Sequence, residues 1–393
     1  ILYLQGGPGF GCAAPMSGIG LSDKSSWAAE ALSHGFKRVV LMDQRGTGRS
    51  TPITKQTLQR RFPDLFALDG HVATAEVTSK FATAAGDDSE VTSTIAEQLD
   101  EWSEIQPDVT ARVGVSLGHA VEYMSNFRAD NIVKDAEAVK DTLLLSASSL
   151  SLSLNDDAEE EVTPKPWGAA LGQSFGGFCM MSYLSLIPHP PKICLLTGGI
   201  APMLTPVYDA YDSLWDRVKE RNFRYYDQYP GDITLVKRIV RRLLSENNPV
   251  VLPSGGILTA RRFLQLGISL GGSPSAFASF HSLLASAIVS DGVSSSIVNE
   301  EDDEDIEFTR AFLKHVDSEQ PFDDAPIYFL MHESIYADGP NSHSTPTDWA
   351  AHRVFTDRTK TPNEFSFGLT SKLNSDARPT LFFGEMVFPW MAD

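Results

Sequence analysis

The segment GQSFG at 172–176 constrains the fold of this chain more than any other feature. It follows a short apolar run at 169–171 and precedes an apolar stretch with helical spacing. A serine between glycines at such a junction is typical of a sharp strand-to-helix turn that holds the hydroxyl above a sheet, because larger flanking residues would clash with neighbouring backbone. The pattern predicts that Ser174 is a nucleophile. The alternative is a tight turn with a structural role only.

The first half of the chain alternates between apolar runs and helical patterns. An apolar run at 1–4 stops at glycine, a helix is predicted at 26–34, and a second apolar run covers 38–42. Strand, helix and strand at this spacing indicate a βαβ unit. With a later helix at 130–144 and a further strand at 193–196, the pattern predicts an α/β fold with a parallel sheet.

Helical patterns dominate the second half of the chain. A block of helices inserted into an α/β chain predicts a cap domain above the carboxyl edge of the sheet, where such folds bind ligands. A strand pattern returns at 379–383. We therefore expect a core at 1–201, a helical cap at 202–374 and a return to the core at 375–393. The cap helices are predicted at 212–226, 232–244, 259–270 and 277–288.

A second glycine-rich segment, QGGPG at 5–9, follows the first predicted strand. A serine that attacks a carbonyl group needs donors for the oxyanion, and backbone amides suit this role because they are fixed before the reaction starts. Glycines let the substrate approach that backbone closely. We expect the N–H groups of Phe175 and Gly7 to be these donors. The alternative is a plain loop of glycine and proline.

A third segment, DQRGTGRS at 43–50, follows the second predicted strand. Its residue types alone assign it no chemistry. We expect a structural role, in which Arg45 and Asp43 brace the loops around Ser174 through charge-assisted hydrogen bonds.

The net charge of −19 argues against two classes of partner. Nucleic acid and anionic membranes attract basic surfaces, so neither is expected as a partner, and no apolar run reaches the length of a membrane span. The three cysteines are scattered, with no CxxC or Cys/His cluster, which indicates a reducing, cytoplasmic compartment and no metal or other cofactor. Acidic runs at 156–161, within a linker at 146–166, and at 300–305 are expected to be solvated loops.

Together, the three glycine-containing segments resemble the proline iminopeptidase family of α/β-hydrolases, in its longer branch. That family shows GGPG, DQRGxGxS and GxSxGG in this order, as the chain does at 6–9, 43–50 and 172–177. The resemblance implies an α/β-hydrolase fold with an inserted helical cap domain. Further matching segments are FRADNIV at 127–133, LTGG at 196–199, HESIY at 332–336 and GEM at 384–386.

The resemblance also implies a chemistry. The family releases an N-terminal residue, usually proline, from short peptides through a serine triad and an acyl-enzyme. Acidic residues that project from the cap bind the free amino group of the substrate. This role carries over to Glu333, with Glu385 as the weaker candidate and a helix-surface glutamate as the alternative. The implied protein is a serine aminopeptidase without a metal or cofactor, and its partners are short peptides with N-terminal proline.

The acid and the histidine of the triad are not found in this chain. Relatives place both after the GEM segment, and the chain ends soon after it, at Asp393. No histidine after Ser174 follows a late strand of the sheet. We therefore expect that the C-terminal part of the sheet is missing, that the chain is truncated at both ends, and that it is inactive alone. These histidines are His189, His281, His315, His332, His343 and His352.

Two alternatives stay open. A related capped serine hydrolase would act on esters or amides without requiring a free amine. A catalytically dead, truncated product would keep Ser174 without turnover. The sequence also leaves open the oligomeric state and any substrate preference beyond proline.

Overall fold

The computed structural model describes residues 1–12, 27–66, 107–152, 165–200, 205–245, 248–289, 306–319, 324–337, 347–360, 365 and 378–389, with the main chain only at 107–115 and 145–152. These residues form two compact units. The first draws its described residues from Ile1–Gly70, Ile95–Met203 and Phe322–Tyr336, and the second from Leu204–Pro321 and Ala337–Asp393.

Helices make up most of the described secondary structure. In chain order they are α1 (Trp27–Ser33), α2 (Lys55–Arg61), α3 (Pro63–Phe66), α4 (Pro107–Ser125), α5 (Ala129–Leu152), α6 (Phe175–Leu186), α7 (Val207–Gln228), α8 (Asp232–Leu243), α9 (Ala260–Gln265), α10 (Ala276–Ala285), α11 (Arg310–Ser318), α12 (Pro326–Met331) and α13 (Ala350–Thr359). Two 3-10 helices, η1 and η2, cover Leu266–Gly271 and Glu333–Tyr336. The helices predicted at 26–34 and 130–144 are confirmed as α1 and α5.

The described part of the first unit centres on a parallel sheet. Its strands are β1 (Leu2–Leu4), β2 (Val40–Met42), β3 (Ala170–Gln173) and β4 (Cys194–Thr197). Their spatial order is β2-β1-β3-β4, and Leu2 pairs with Val40 on one side and with Ala170 on the other. All residues of β1 are buried, as expected for a central strand that is covered on both faces. The predicted α/β class with a parallel sheet is confirmed.

Two helices supply much of the core around this sheet. Ile132 and Ala136 of α5 lie one turn apart and therefore face the same side of the helix. They pack in one buried cluster with Met180 and Tyr183 of α6 and with Leu4 of β1. Since Ala170 of β3 belongs to the same cluster, α5 and α6 both pack against the two central strands of the sheet.

The linker predicted at 146–166 is wrong at its start, because α5 continues to Leu152. Serine is a moderate helix former, so a serine-rich stretch at the end of an established helix can extend it. The acidic run at 156–161 lies outside the described residues, as does the run at 300–305.

The second unit is helical, with an aromatic core. The ring of Tyr225 lies 5.4 Å from that of Phe280 and 6.4 Å from that of Phe382, measured between centroids. The helices predicted at 212–226, 232–244 and 277–288 are confirmed as α7, α8 and α10, and the one predicted at 259–270 divides into α9 and η1. No described helix of either unit combines the length and apolar composition needed to cross a bilayer.

The strand predicted at 379–383 is wrong. Within the described residues this segment has only an isolated bridge position at Thr380. The side chain of Asn222 on α7 donates to the carbonyl oxygen of Phe382 and accepts from its N–H, both at 2.9 Å, and Tyr226 donates to the carbonyl oxygen of Thr380 at 2.7 Å. Helix side chains therefore satisfy backbone groups that a sheet would otherwise pair, and an apolar run does not reveal which partner it has.

The two units differ from the expected domain division in two places. The described residues of Phe322–Tyr336, which the sequence places in the cap, lie in the first unit, and those of Ala337–Asp393 lie in the second, including 378–389, where a return to the core is expected. Ile327 and Met331 of α12 pack with Ile53 of the first unit, an apolar contact that helical spacing alone cannot assign to one unit or the other. The role of the second unit as a cap stays a prediction.

Gly176→Ala is expected to lower the free energy of unfolding of the first unit by at least about 2 kcal/mol. A Cβ at Gly176 would lie 2.1 Å from the carbonyl oxygen of Leu4, so α6 would have to move away from β1. Gly118→Ala on α4 is the matched control, because its Cβ would meet no atom within 4 Å and alanine favours a helix interior by about 1 kcal/mol. Urea unfolding that gives both variants the same stability would contradict the steric argument.

Candidate active site

Ser174 lies at the turn between β3 and α6 in a strained backbone conformation. Its φ is 50° and its ψ is −117°, a region that non-glycine residues rarely adopt. The backbone of the turn is held by hydrogen bonds from Ser174 N–H to the carbonyl oxygen of Thr197 and from Gly177 N–H to that of Ser174, both at 2.8 Å. Ser174 is exposed to solvent. The turn therefore presents the hydroxyl group in the way expected of a nucleophile.

The glycines around Ser174 are there because backbone passes very close to them. A Cβ at Gly172 would lie 2.3 Å from the carbonyl oxygen of Gly176, and a Cβ at Gly199 would lie 2.0 Å from that of Ser174. These distances are far below van der Waals contact, so no other residue fits without displacing the turn. The steric reason given for the GQSFG pattern is confirmed.

The glycine-rich loop after β1 passes directly beside the nucleophile. A Cβ at Gly6 would lie 2.7 Å from Cβ of Ser174. Gly7 follows with a φ of +52°, and Phe175 is the first residue of α6, so no earlier turn of that helix accepts its N–H. The positive end of the α6 dipole also lies at Ser174. The two expected oxyanion donors, Gly7 and Phe175, thus flank the same serine.

A hydrogen-bonded group beneath this loop gave no signal in the sequence. The Tyr3 hydroxyl contacts the side-chain amide oxygen of Gln5 at 2.7 Å and also that of Gln173, the residue before the nucleophile. Gln44 donates from Nε2 to the carbonyl oxygen of Gln5 at 2.9 Å. Tyr3 and Gln44 therefore link the ends of β1, β2 and β3 beside the glycine-rich loop.

The bracing role predicted for Asp43 and Arg45 is confirmed by their contacts. Asp43 accepts hydrogen bonds from the N–H of Cys12, just after the glycine-rich loop, at 2.8 Å and from that of Arg49 at 2.9 Å. Arg45 forms a two-point pair with Asp135 of α5 at 2.6 and 2.7 Å. Such paired contacts fix orientation as well as distance, so they hold the loops in place around Ser174.

The segment formed by α12 and η2 packs against the glycine-rich loop. A Cβ at Gly9 would lie 2.9 Å from the backbone nitrogen of Tyr328, and the Tyr328 ring lies 5.5 Å from that of Phe10, between centroids. At the end of η2, the ring of Tyr336 lies 5.5 Å from that of Phe178 on α6. One segment therefore contacts both elements that carry the expected oxyanion donors.

Glu333 is the first residue of η2, within this segment, and is buried with 6% of its surface exposed. The preceding His332 is also buried, and its ring lies 5.0 Å from that of Tyr328 and 6.0 Å from that of Tyr336. Burial lowers the pKa of His332 from 6.5 to about 4. The imidazole next to Glu333 is therefore neutral at neutral pH.

His332 should make the first unit sensitive to acid. The unfolded chain takes up a proton at this residue below pH 6.5, whereas the folded chain does so only near pH 4, so stability falls as the pH drops through this window. The loss is expected to be on the order of 3 kcal/mol at pH 4. Urea unfolding at several pH values should show a weaker acid dependence for His332→Phe than for the wild type. An unchanged acid dependence in His332→Phe would contradict this reasoning.

Two curated proteins match the chain in sequence. It is 31% identical over 392 residues to the proline iminopeptidase of Aeromonas sobria, which covers 100% of this chain and 65% of the relative. It is 32% identical over 271 residues to the proline iminopeptidase aneH of Aspergillus aculeatus, which covers 69% of this chain and 43% of that relative. The chain belongs to the proline iminopeptidase family. No protein-family model matches it.

Membership of the proline iminopeptidase family confirms the resemblance drawn from the three glycine-containing segments. Together with the parallel sheet flanked by helices, it also confirms the α/β-hydrolase fold. The chain spans 65% of the length of the first relative and 43% of the second.

Glu385, the second glutamate suggested by the proline iminopeptidase resemblance, has a different environment from Glu333. It lies in the second unit and is paired with Arg221, whose NH1 atom is 3.1 Å from Oε2 and 3.3 Å from Oε1. Its charge is therefore balanced within its own unit. The amine-binding roles of Glu333 and Glu385 both stay predictions.

Among the residues that the structure describes, none is placed as a general base at Ser174. Within the described ranges, no side chain hydrogen-bonds to its hydroxyl oxygen. His343 lies outside the described residues. Among the described residues there is also no group of three or more His, Cys, Asp or Glu side chains that could hold a metal ion.

Proposed function

We propose that this protein is a serine aminopeptidase that releases N-terminal proline from short peptides. The observation that carries the proposal is the strained turn of Ser174 beside Gly6 and Gly7, in a chain related over its whole length to a proline iminopeptidase. The proposal includes a cytoplasmic location, in keeping with three cysteines that are all free thiols.

In the proposed reaction, the Ser174 hydroxyl attacks the carbonyl carbon of the N-terminal residue. The N–H groups of Gly7 and Phe175 donate to the oxyanion of the tetrahedral intermediate, helped by the positive end of α6. Collapse of this intermediate expels the amine of the shortened peptide and leaves an acyl-enzyme, which water then hydrolyses. A general base must take the serine proton, and we assign that step to none of the described residues.

Selection of a free amino terminus is assigned to Glu333. A buried carboxylate can bind an ammonium group strongly, because little water competes for either charge. Glu333 follows α12, whose Tyr328 lies beside Phe10 and the glycine-rich loop, so amine and carbonyl recognition would share one wall of the site. The neutral state of His332 keeps a competing positive charge away from this carboxylate.

The test compares three substrates with the natural full-length gene product. Prolyl arylamide should be cleaved, N-acetyl-prolyl arylamide should resist cleavage, and a simple aryl ester without an amine should be hydrolysed slowly. Equal cleavage of the free and blocked arylamides would instead favour a capped hydrolase that does not read the amino terminus. Silence on all three by a folded protein would favour a catalytically dead product.

A further inference from the structure

Two aromatic side chains border the glycine-rich loop beside Ser174. A Cβ at Gly7 would lie 3.1 Å from Cδ2 of Phe10 and 3.6 Å from Cε2 of Tyr328, so both rings lie against the backbone of this residue. The two rings also contact one another, with centroids 5.5 Å apart and planes inclined by 58°. They form an inclined aromatic pair next to an expected oxyanion donor.

Both the aromatic pair and the nucleophile are accessible to solvent. Phe10 exposes 36% of its surface although it contacts Tyr328, so part of its ring is accessible to a ligand beside Gly7. Tyr328 is half-buried, and Ser174 is exposed. Ligand sites are lined mainly by apolar and aromatic side chains around a few polar groups, and this pair supplies such a surface beside Ser174.

The chemistry of an acyl group at Ser174 fixes which part of the substrate can reach the pair. Once the carbonyl oxygen accepts from Gly7, the atoms attached to the carbonyl carbon on the acyl side belong to the N-terminal residue. In proline these atoms form a five-membered ring that includes the ammonium nitrogen. Its C–H groups carry partial positive charge and therefore suit the negative faces of aromatic rings.

We propose that Phe10 and Tyr328 form an aromatic wall that contacts the ring of the substrate's N-terminal residue and thereby selects proline. This inference rests on the proposed function and extends it to the side-chain specificity of the same site. Glu333 follows Tyr328 on the same segment, so one segment would contact both the ring and the amino group of the substrate's N-terminal residue.

The test separates ring recognition from both amine recognition and loop positioning. The natural full-length gene product and its Phe10→Leu and Tyr328→Leu variants are assayed on two p-nitrophenyl esters without an amine, cyclopentanecarboxylate and acetate. The wild type should prefer the cyclopentane ring, and each variant should lose about tenfold of that preference in kcat/KM, since an apolar contact of a few methylene groups has this size. Leu330→Ala, an exposed apolar residue on α12, is the matched control and should keep the preference.

Each outcome decides between named alternatives. An equal fall in kcat/KM on both esters would contradict the proposed aromatic wall, because Phe10 would then only hold Gly7 in place. An unchanged preference would overturn it as well. Retained acetate hydrolysis shows that a variant is folded. If the ring preference is lost in the variants but the wild type does not cleave prolyl arylamide, the wall stands and the proposed aminopeptidase function fails.

Discussion

Ser174→Ala is expected to lower kcat for prolyl arylamide by about 10⁵-fold in the natural full-length gene product. The reason is that the acyl-enzyme route disappears with the hydroxyl, and only oxyanion stabilisation and substrate binding remain. Ser185→Ala is the matched control on the same helix, since the Ser185 hydroxyl donates only to the carbonyl oxygen of Met181. That variant should keep full activity.

Two measurements make the Ser174 result specific. The KM of any residual activity should change little, because alanine leaves the backbone donors of Gly7 and Phe175 in place. A fluorophosphonate probe should label the wild type at Ser174 and leave Ser174→Ala unlabelled, as read by peptide mass spectrometry. Turnover by Ser174→Ala within tenfold of that of the wild type would contradict the assignment of Ser174 as the nucleophile.

The turn at Ser174 could be predicted from sequence because its constraints are local. Gly172 and Gly176 lie within a few residues of the serine, and the clashes that exclude larger side chains there involve the same turn and the strand beside it. The parallel sheet followed from strands and helices that alternate at short range. Such features depend on spacing, which a sequence displays directly.

The aromatic wall could not be predicted, because its members are far apart in the chain. Phe10 follows the glycine-rich loop, and Tyr328 lies on a short apolar helix. Neither segment has a sequence pattern that indicates contact with the other. The apolar spacing of α12 is helical, as it is in the helices of the second unit. For this reason the sequence places Phe322–Tyr336 in the cap. Helical spacing specifies an apolar face and leaves open which surface covers it.

The two glutamates show the same limit at the level of one residue type. Motif resemblance suggested both Glu333 and Glu385 for amine binding. The structure pairs Glu385 with Arg221 and buries Glu333 beside a neutral histidine. A carboxylate that a guanidinium already pairs has less to gain from a substrate ammonium, which is why we propose Glu333 rather than Glu385 for this role.

Glu333→Gln is therefore expected to lower kcat/KM for prolyl arylamide by about 10² to 10³-fold, the size of a truncated buried charge pair. Glutamine keeps the volume of the buried side chain and removes only the charge, so the fold should persist. Hydrolysis of p-nitrophenyl acetate, which has no amine, should stay within about twofold of the wild type, because it makes no use of the carboxylate.

Glu385→Gln supplies the matched control, since it removes a carboxylate that Arg221 already balances. We expect this variant to keep prolyl arylamide cleavage within about threefold of the wild type, the scale of a partly exposed ion pair. The reverse result, a large selective loss in Glu385→Gln and none in Glu333→Gln, would move amine recognition to the second unit. An equal loss on arylamide and ester in Glu333→Gln would assign Glu333 to the structure of η2 rather than to the substrate.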